Sequence, residues 1–241
     1  MIGLGLSLPT ITQNLNNLAE LGLIDTSKKI SNTGGRNATA YSYIEKARYA
    51  VGLYLNRHHI NCVAVDLSGN VISLIRVREN FDLNDDNYLR KIGETVEEVK
   101  KDTGLSDDRF LGVGIAVQGL ISDDGERVTY GLTLNFTGVT RADIAKYIPY
   151  HNRLFHDSAA AGYAEVWDRN DLDDAFYLSL SNSVGGAVIV ANKIFEGERR
   201  KSGEIGHMTI IPKAGDRCYC AQRGCFHTVC RANVLAEYAD G

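Results

Sequence analysis

The N-terminal part of the chain carries one stripe of apolar residues with helical spacing. The stripe consists of Leu8, Ile11, Leu15, Leu18 and either Leu21 or Leu23. Intervals of three and four residues place these side chains on one face of an α-helix. Ser7 suits the cap at its start, Pro9 suits the first turn, and Gly22 suits the left-handed position that ends a helix. We predict a helix between Ser7 and Gly22 whose apolar face is buried.

From Ala50 onward the pattern becomes that of an α/β domain. Apolar positions with helical spacing predict a helix between Asp85 and Gly104. Strands are predicted over 51–55, 60–66, 71–77, 111–119, 176–181 and 186–191, and shorter helices over 140–148 and 158–168. Three strands, a helix and a further strand, in that order, are typical of the ribonuclease-H or actin-like α/β fold.

Composition narrows the class of protein. The 241 residues are enough for one large domain or two modest ones. The chain contains 24 Gly but only 3 Pro, and charges of both signs are mixed along it. The low proline content and the mixed charge argue against a long disordered tract. The apolar start lacks the basic region of a secretory signal, and no apolar run is long enough to span a membrane. We expect a cytoplasmic protein without membrane association.

The net charge of −4 is unevenly distributed. Residues 1–48 contain five basic and three acidic groups, whereas residues 49–241 hold 21 basic and 27 acidic groups. A basic head on an acidic body is compatible with nucleic-acid binding through the head. A solvated surface with no partner has the same composition, so the charge alone does not decide.

The polar face of the predicted first helix favours DNA binding. It is uncharged and offers Thr10, Thr12, Gln13 and Asn14, and amide side chains of this kind bond adenine in the major groove. The following segment reads as two short strands joined by a Gly-Gly-Arg tip, where Lys28, Lys29 and Arg36 suit phosphate or minor-groove contacts. A plain surface hairpin is the alternative. The predicted DNA contacts are Ser7, Thr10, Thr12, Gln13, Asn14, Lys28, Lys29 and Arg36.

Four of the five cysteines lie within thirteen positions, which indicates a metal site rather than disulfides. Three of them join one histidine in a set of nitrogen and sulfur ligands that suits a closed, tetrahedral structural zinc. This set is His207, Cys218, Cys220 and Cys225. Cys62 and Cys230 are predicted to be small buried apolar residues, and a substitute-ligand role for Cys230 is the alternative.

The head resembles a known DNA-binding domain. LSLPTITQNLNNLAELGLI followed by TGGRNA is similar to the winged helix-turn-helix of NagC/XylR-type repressors in the ROK family (repressors, open reading frames and sugar kinases). In that family the helix beginning at this stretch is the recognition helix. The resemblance implies a partial winged-helix domain over residues 1–44, because the family has further helices upstream.

The rest of the chain resembles the ROK sugar-binding domain, which implies a two-lobed ribonuclease-H/actin-like fold. We expect this domain over 49–241, with lobe one at about 49–155 and lobe two from about 156, incomplete at the C-terminus. The overall expectation is an α/β protein in which a partial winged helix precedes a ROK sugar-kinase-like body.

Both phosphate-binding stretches of the kinases in this family differ here. Residues 54–58 (YLNRH) stand where the kinases have Asp-x-Gly-Gly-Thr, so no acidic residue remains for magnesium. Residues 181–187 keep only the latter half of the glycine-rich second stretch. We therefore predict that the protein is not a kinase.

The sugar side of the cleft is better retained. HDSAAAGYAE matches the family segment in which an aspartate, here Asp157, faces a sugar hydroxyl, and GEIGH matches Glu-x-Gly-His. CYCAQRGCFH keeps the metal-binding cysteines of the family motif, but has Ala221 for a glycine and His227 for a sugar-contacting glutamate. The resemblance implies sugar contacts by Asn135, His156, Asp157, Glu204, His207 and the altered position His227.

These features together predict a sugar-responsive transcriptional repressor. Its expected partners are operator DNA, a sugar or sugar phosphate, and further copies of itself in a homodimer or homotetramer, and its expected cofactor is structural Zn²⁺. Two alternatives remain, namely a ROK sugar kinase that uses the same cleft and a regulator controlled by a protein partner.

Overall fold

The head consists of one helix and two small antiparallel sheets. In the computed structural model, which describes residues 5–30, 38–167, 169 and 172–239, helix α1 spans Leu8–Glu20. It is followed by β1 (Ile24–Asp25), β2 (Lys29–Ile30), β3 (Ala38–Thr39) and β4 (Ser42–Tyr43). Strand β1 pairs with β4 and β2 with β3, which forms the two-stranded wing predicted from the sequence. The predicted Gly-Gly-Arg tip with Arg36 lies outside the described residues.

The limits of α1 agree with the predicted caps, but its apolar face is not buried. The side chain of Ser7 accepts a hydrogen bond from the Thr10 amide, and Gly22 has a φ of +66°. No residue of α1 is buried, and Leu8 is 59% exposed. The prediction of a buried stripe was wrong, since the main neighbour of α1 is β1, a two-residue strand too short to cover a helix face.

A five-stranded mixed sheet forms lobe one. Its elements are β5 (Tyr49–Leu55), β6 (His59–Asp66), β7 (Val71–Arg78), helix α2 (Asp86–Asp102), β8 (Phe110–Val117), the short β9 (Leu120–Ile121) and β10 (Val128–Tyr130), α3 (Arg141–Ile144) and β11 (Asn152–His156). The sheet order is β11-β8-β5-β6-β7, with the first three strands parallel and the last two antiparallel to their neighbours. Strands β9 and β10 form a separate hairpin.

The core of lobe one lies between this sheet and α2. Strand β5 buries every second residue, and α2 places Ile92, Val96 and Val99 against the sheet. Asp85 caps α2 by accepting a hydrogen bond from the Asn87 amide. Gly93 allows the segment after α3 to approach closely, because a Cβ there would lie 2.5 Å from the Tyr147 carbonyl oxygen.

The helix predicted over 140–148 is shorter than expected. A capping box of Thr140 and Asp143 starts α3, but Ala145 (φ −87°, ψ 18°) already leaves the helical region. Buried Ile144 and Ile148 fix the course of this segment through packing rather than through helical hydrogen bonds.

Lobe two combines one helix with a three-stranded sheet. Strand β11 leads directly into α4 (Asp157–Val166), which is followed by β12 (Ala175–Leu180), β13 (Val184–Val190), β14 (Lys193–Ile194), α5 (Phe226–Cys230) and α6 (Ala232–Ala239). The sheet order is β12-β13-β14, and α4 packs on β12 and β13. The domain limits at residues 44, 49 and about 156 remain a prediction. None of the described helices is both long and apolar enough to cross a membrane.

Candidate functional site

A cleft opens where the two lobes meet. Lobe one contributes Gln118 to Leu120 and residues of the segment after β10. Lobe two contributes the start of α4, the start of β13 and three separate residues, Glu204, His207 and Tyr219. The cleft is open at its mouth and is lined mainly by polar groups, as suits a site for a small polar molecule. Four predicted sugar contacts line it, namely His156, Asp157, Glu204 and His207.

Asp157 is placed by the junction of β11 with α4. Its Oδ1 accepts a hydrogen bond from the Ser158 amide at 2.7 Å, and the Nε2 of His156 lies 3.5 Å from the same oxygen. Burial raises the pKa of Asp157, while His156 and the Ser158 groups oppose that shift. The carboxyl is therefore held as a hydrogen-bond partner for a hydroxyl in the cleft.

Tyr54 lies behind Asp157, at the end of β5. Its hydroxyl accepts a hydrogen bond from the amide of Gln118 at 3.3 Å. Burial, with the nearby Asp157 carboxyl as the next cause, raises the pKa of Tyr54 to about 12. A neutral phenol therefore lies near the Asp157 carboxyl. Tyr54 occupies the hairpin position where the resemblance places an acidic residue in the kinases.

The predicted metal ligands come together in one cluster. The ligand atoms of His207, Cys218, Cys220 and Cys225 all lie within 4.8 Å of one another. The Nδ1 of His207 is 3.6 Å from the Sγ of Cys218, and the Sγ atoms of Cys220 and Cys225 are also 3.6 Å apart. Zn–S bonds of about 2.3 Å and Zn–N bonds of about 2.0–2.1 Å in a tetrahedron separate ligand atoms by about 3.5–3.8 Å. The cluster fits a zinc ion.

Glu204 connects the metal cluster with the cleft. Its Oε2 lies 3.7 Å from the Nε2 of His207, the ring nitrogen that faces away from the cysteines. Histidine ligands of metals usually direct their second nitrogen to a carboxylate, which fixes the ring orientation. The same Glu204 carboxylate lines the cleft, so one side chain lies beside both the His207 ring and the space for a ligand molecule.

His227 has a role that the sequence did not indicate. It is buried, and its Nδ1 accepts a hydrogen bond from the backbone amide of Val184 at 3.2 Å. Burial, assisted by Arg231 and His207, lowers the pKa of His227. His227 is absent from the described cleft lining and instead holds the first residue of β13 in place. A sugar contact by His227 stays a prediction without support from this geometry.

Asn135 also lies away from the cleft lining. It is exposed and has a φ of +55°, while the next residue, Phe136, turns inward and is buried. The backbone therefore directs the phenyl ring, and not the amide, into lobe one. The sugar contact by Asn135 remains a prediction that this arrangement of the described residues does not support.

The turn between β5 and β6 is closed by its own side chains. The Oδ1 of Asn56 accepts hydrogen bonds from the amides of His58 at 3.0 Å and His59 at 2.9 Å. Arg57 donates to the carbonyl oxygen of Thr133 at 2.6 Å. Amides that cradle a phosphate need to be free to donate to it. Two amides of this turn already donate to Asn56.

The second predicted phosphate stretch is closed in a similar way. The amide of Ser183 donates to the hydroxyl of Ser181 at 3.4 Å, and the amide of Val184 donates to His227. Both stretches thus use internal acceptors where the kinases of the resembling family would use a phosphate.

Sequence reasoning missed Tyr130, Gln118 and Tyr219 as cleft residues. The sequence does contain an indication for Tyr219, because it stands between two predicted metal ligands. A third predicted ligand, His207, was also a predicted sugar contact and lines the same cleft. No sequence motif marks Tyr130 or Gln118. The hairpin of β9 and β10 brings Tyr130 to the cleft, and Gln118 reaches it because it follows the last residue of β8.

The predicted DNA contacts divide into free and occupied side chains. The hydroxyls of Ser7 and Thr10 bond each other at 2.8 Å, and the hydroxyl of Thr12 donates to the Leu8 carbonyl at 3.0 Å. Gln13 and Asn14 are exposed on α1, and Lys28 and Lys29 are exposed beside the wing. The two amides and the two lysines are therefore the described candidates best placed for a partner.

Comparison with known proteins matches this chain to one family over most of its length. The model of the ROK family matches residues 50–240. The xylose repressor of Bacillus subtilis (strain 168) is 25% identical over 239 residues, which cover 97% of this chain and 61% of that protein. The chain thus spans about three fifths of the length of this relative.

Solved structures show the same fold. A ROK family transcriptional regulator, described as a homologue of the Escherichia coli MLC protein, superposes with a TM-score of 0.76 at 20% identity, over 98% of this chain and 60% of that one. A ROK hexokinase from Thermus thermophilus gives a TM-score of 0.63 at 24% identity, over 80% of this chain and 64% of the hexokinase. The fold alone therefore does not separate regulator from kinase.

Proposed function

The chain belongs to the ROK family. From this premise we propose that it is a sugar-responsive transcriptional regulator, namely a repressor that binds operator DNA. The observation that carries the proposal is a contrast between the predicted sugar contacts and the two predicted phosphate stretches. Asp157, Glu204 and His207 line the sugar side, whereas internal acceptors occupy amides of both phosphate stretches. A body that binds a sugar without transferring phosphate suits a sensor.

The proposed effector is a sugar or a sugar phosphate bound between the lobes. Asp157 and Glu204 accept hydrogen bonds from its hydroxyls, and His156 and His207 complete the polar wall. Binding affects DNA affinity only if the sugar binds the DNA-competent and incompetent arrangements with different affinity. Sensing of a cytoplasmic sugar would match the repressor function of the xylose repressor relative.

The proposed cofactor is one structural zinc ion per chain, held by His207, Cys218, Cys220 and Cys225. Four protein ligands leave no open position, so the ion would order the loop rather than take part in chemistry. The proposed assembly is a homodimer or homotetramer, because a two-fold operator is read by paired heads.

A thermal-shift panel of neutral sugars and sugar phosphates tests the sensor. We expect at least one compound to raise the Tm of the protein, and Asp157→Asn or Glu204→Gln to abolish that rise. Glu165→Gln, an exposed position on α4, is the matched control and should leave it unchanged. Absence of any shift across the panel would support control by a protein partner instead.

A coupled ATP assay tests the kinase alternative, which is considered because a ROK hexokinase has the same fold. We expect no turnover with any sugar that binds, because the amides of His58, His59 and Val184 already donate within the protein. Turnover that disappears in Asp157→Asn would establish a kinase.

DNA reading is tested with a duplex selected from a random library. Loss of a base-reading amide in Gln13→Ala or Asn14→Ala should cost about 1–3 kcal/mol on the selected duplex and little on random DNA. Lys28→Ala should weaken binding to both and lower the salt slope by about one unit. Equal losses on both duplexes in the amide variants would show that α1 does not read bases.

A further inference from the structure

Tyr219 is the aromatic side chain that the metal loop directs into the cleft. It stands between Cys218 and Cys220, and its ring packs edge-on against His207 with ring centroids 4.9 Å apart and against His227 at 5.1 Å. The side chain is still 42% exposed and lines the cleft. Part of a packed aromatic ring is thus accessible from the cleft.

The Tyr219 hydroxyl lies between the two lobes. The side chains of Thr133 in lobe one and Ser183 in lobe two lie near it, and both residues line the same cleft. A tyrosine side chain combines an apolar ring, which can cover the carbon–hydrogen face of a sugar, with a polar tip that can bond a sugar hydroxyl. Both functions are available from this position.

We infer that Tyr219 is a sugar-contacting residue that sets which sugars the cleft accepts. The inference rests on the proposed function and adds a residue to its site. The acidic contact implied by the family motif is replaced by His227, whose Nδ1 is occupied by the Val184 amide. The Tyr219 ring, which packs against His227, lines the ligand space from the same loop.

The position of Tyr219 also connects metal binding with sugar binding. Both residues that flank it in sequence belong to the metal cluster, so the backbone of Tyr219 is fixed only while that loop is folded. Removal of the metal should therefore weaken sugar binding even though no sugar atom needs to contact the ion.

Titration calorimetry with the sugar identified by the thermal panel tests this role. Tyr219→Ala should weaken binding about tenfold to hundredfold while elemental analysis still finds the metal content of the unmodified protein. Tyr219→Phe keeps the ring and should change the ranking of sugars that differ in one hydroxyl. Tyr41→Ala, a comparably exposed tyrosine of the head, is the control.

The outcomes separate the two claims. Binding of every sugar within twofold of the unmodified protein by both Tyr219 variants would overturn the role of Tyr219. Failure of the unmodified protein to bind any sugar would instead contradict the proposed function.

Helix α4 provides a second, independent observation, because it runs from the cleft to a turn of lobe one that contacts the head. Asp157 is its first residue, and Trp167 follows its last. The indole edge covers the turn between β6 and β7, where a Cβ on Gly69 would lie 3.3 Å from Cδ1 of Trp167. Gly69 has a φ of +80°, so this close contact coincides with a position that favours glycine.

The other side of this turn contacts the head. The hydroxyl of Ser68 bonds the hydroxyl of Tyr43 in the head at 2.9 Å. The amide of Leu67 donates to the carbonyl of Glu45, in the segment that joins the head to the body, at 3.0 Å. We propose that α4 transmits occupancy of the cleft at Asp157 to the head through Trp167 and the turn 67–70. A helix is a rigid element, so a displacement of the first turn of α4 would also move its last turn.

The single tryptophan of the chain reports this coupling directly. Sugar binding should change the emission and acrylamide quenching of Trp167 and the hydrogen exchange of a peptide covering residues 41–48. In Trp167→Ala the exchange response of that peptide should vanish while the sugar Kd stays within twofold. Ser27→Ala is the control in the head, and Ser68→Ala should reduce the response.

An undiminished response of residues 41–48 in both Trp167→Ala and Ser68→Ala would overturn this coupling. Loss of sugar binding itself in Trp167→Ala would also overturn it, since Trp167 would then act on the cleft rather than on the connection to the head.

Discussion

Ala221 occupies a backbone conformation that favours glycine. Its φ is +72°, within the turn between Cys218 and Gly224, and glycine is the residue that the family motif has at this position. Left-handed backbone costs an L-residue roughly 1–2 kcal/mol, and part of that is offset by the greater freedom of glycine in the unfolded chain. Ala221→Gly should therefore stabilise the loop by about 1 kcal/mol, measured as a rise of the urea midpoint.

Ala214→Gly serves as the matched control, because Ala214 is an exposed residue of the same region without a positive φ. It should be neutral or slightly destabilising, since glycine adds only unfolded-state entropy there. A loss of stability in Ala221→Gly equal to that in Ala214→Gly would show that the left-handed backbone carries no strain.

At the scale of elements, Asp86 joins the first turn of α2 to the segment after α3. Its carboxylate accepts hydrogen bonds from Lys146 at 2.6 Å and from the Tyr147 hydroxyl at 2.8 Å, and these two partners lower the pKa of Asp86 to about 2. The folded pKa lies below the unfolded value of 3.8, so the contribution to stability is complete above about pH 4 and is lost as the pH falls toward 2.

Asp86→Asn should accordingly lower the urea midpoint at pH 7, and this difference from the unmodified protein should shrink at pH 2.5. Glu94→Gln on the same helix is the control, because its 3.5 Å pair with Lys91 lies within α2 and joins no second element, and such exposed pairs contribute little. A difference that stays constant between pH 7 and pH 2.5 would mean that the Asp86 charge is not what connects the two elements.

At the scale of the whole molecule, the two lobes are stabilised differently. The continuous cluster of buried apolar residues lies in lobe one and runs from Tyr49 to Leu154, whereas the described loop of lobe two from Glu204 to Cys225 has little regular structure beyond one short 3₁₀ turn. Burial supports lobe one, and the proposed zinc supplies order to the loop of lobe two.

Chelation should therefore act on lobe two alone. Removal of the metal should raise amide exchange in residues 204–230 and cost several kcal/mol there, while β5 to β8 remain protected. Cys220→Ser should have the same effect. Cys230→Ala, outside the ligand cluster, should keep one zinc per chain, and loss of zinc in Cys230→Ala would establish Cys230 as a ligand.

Local patterns were enough to predict most elements and the metal cluster. Capping residues and residue spacing predicted α1, α2 and the hairpin of β6 and β7, because those features act over a few positions along the chain. His207 and the three cysteines followed from ligand chemistry and short spacing. The family resemblance placed Asp157 and Glu204 in the same cleft, and the structure brings them there.

Only the tertiary structure decided which groups are still free to bind. His227 bonds an amide 43 positions away, Tyr219 reaches the cleft with its ring packed against His207, and the face of α1 stays uncovered by the described residues. Asn135 is turned outward by one positive φ. Sequence spacing reports which residues share a face, but the use of each donor and acceptor depends on partners that are distant in sequence, and these are brought together by folding alone.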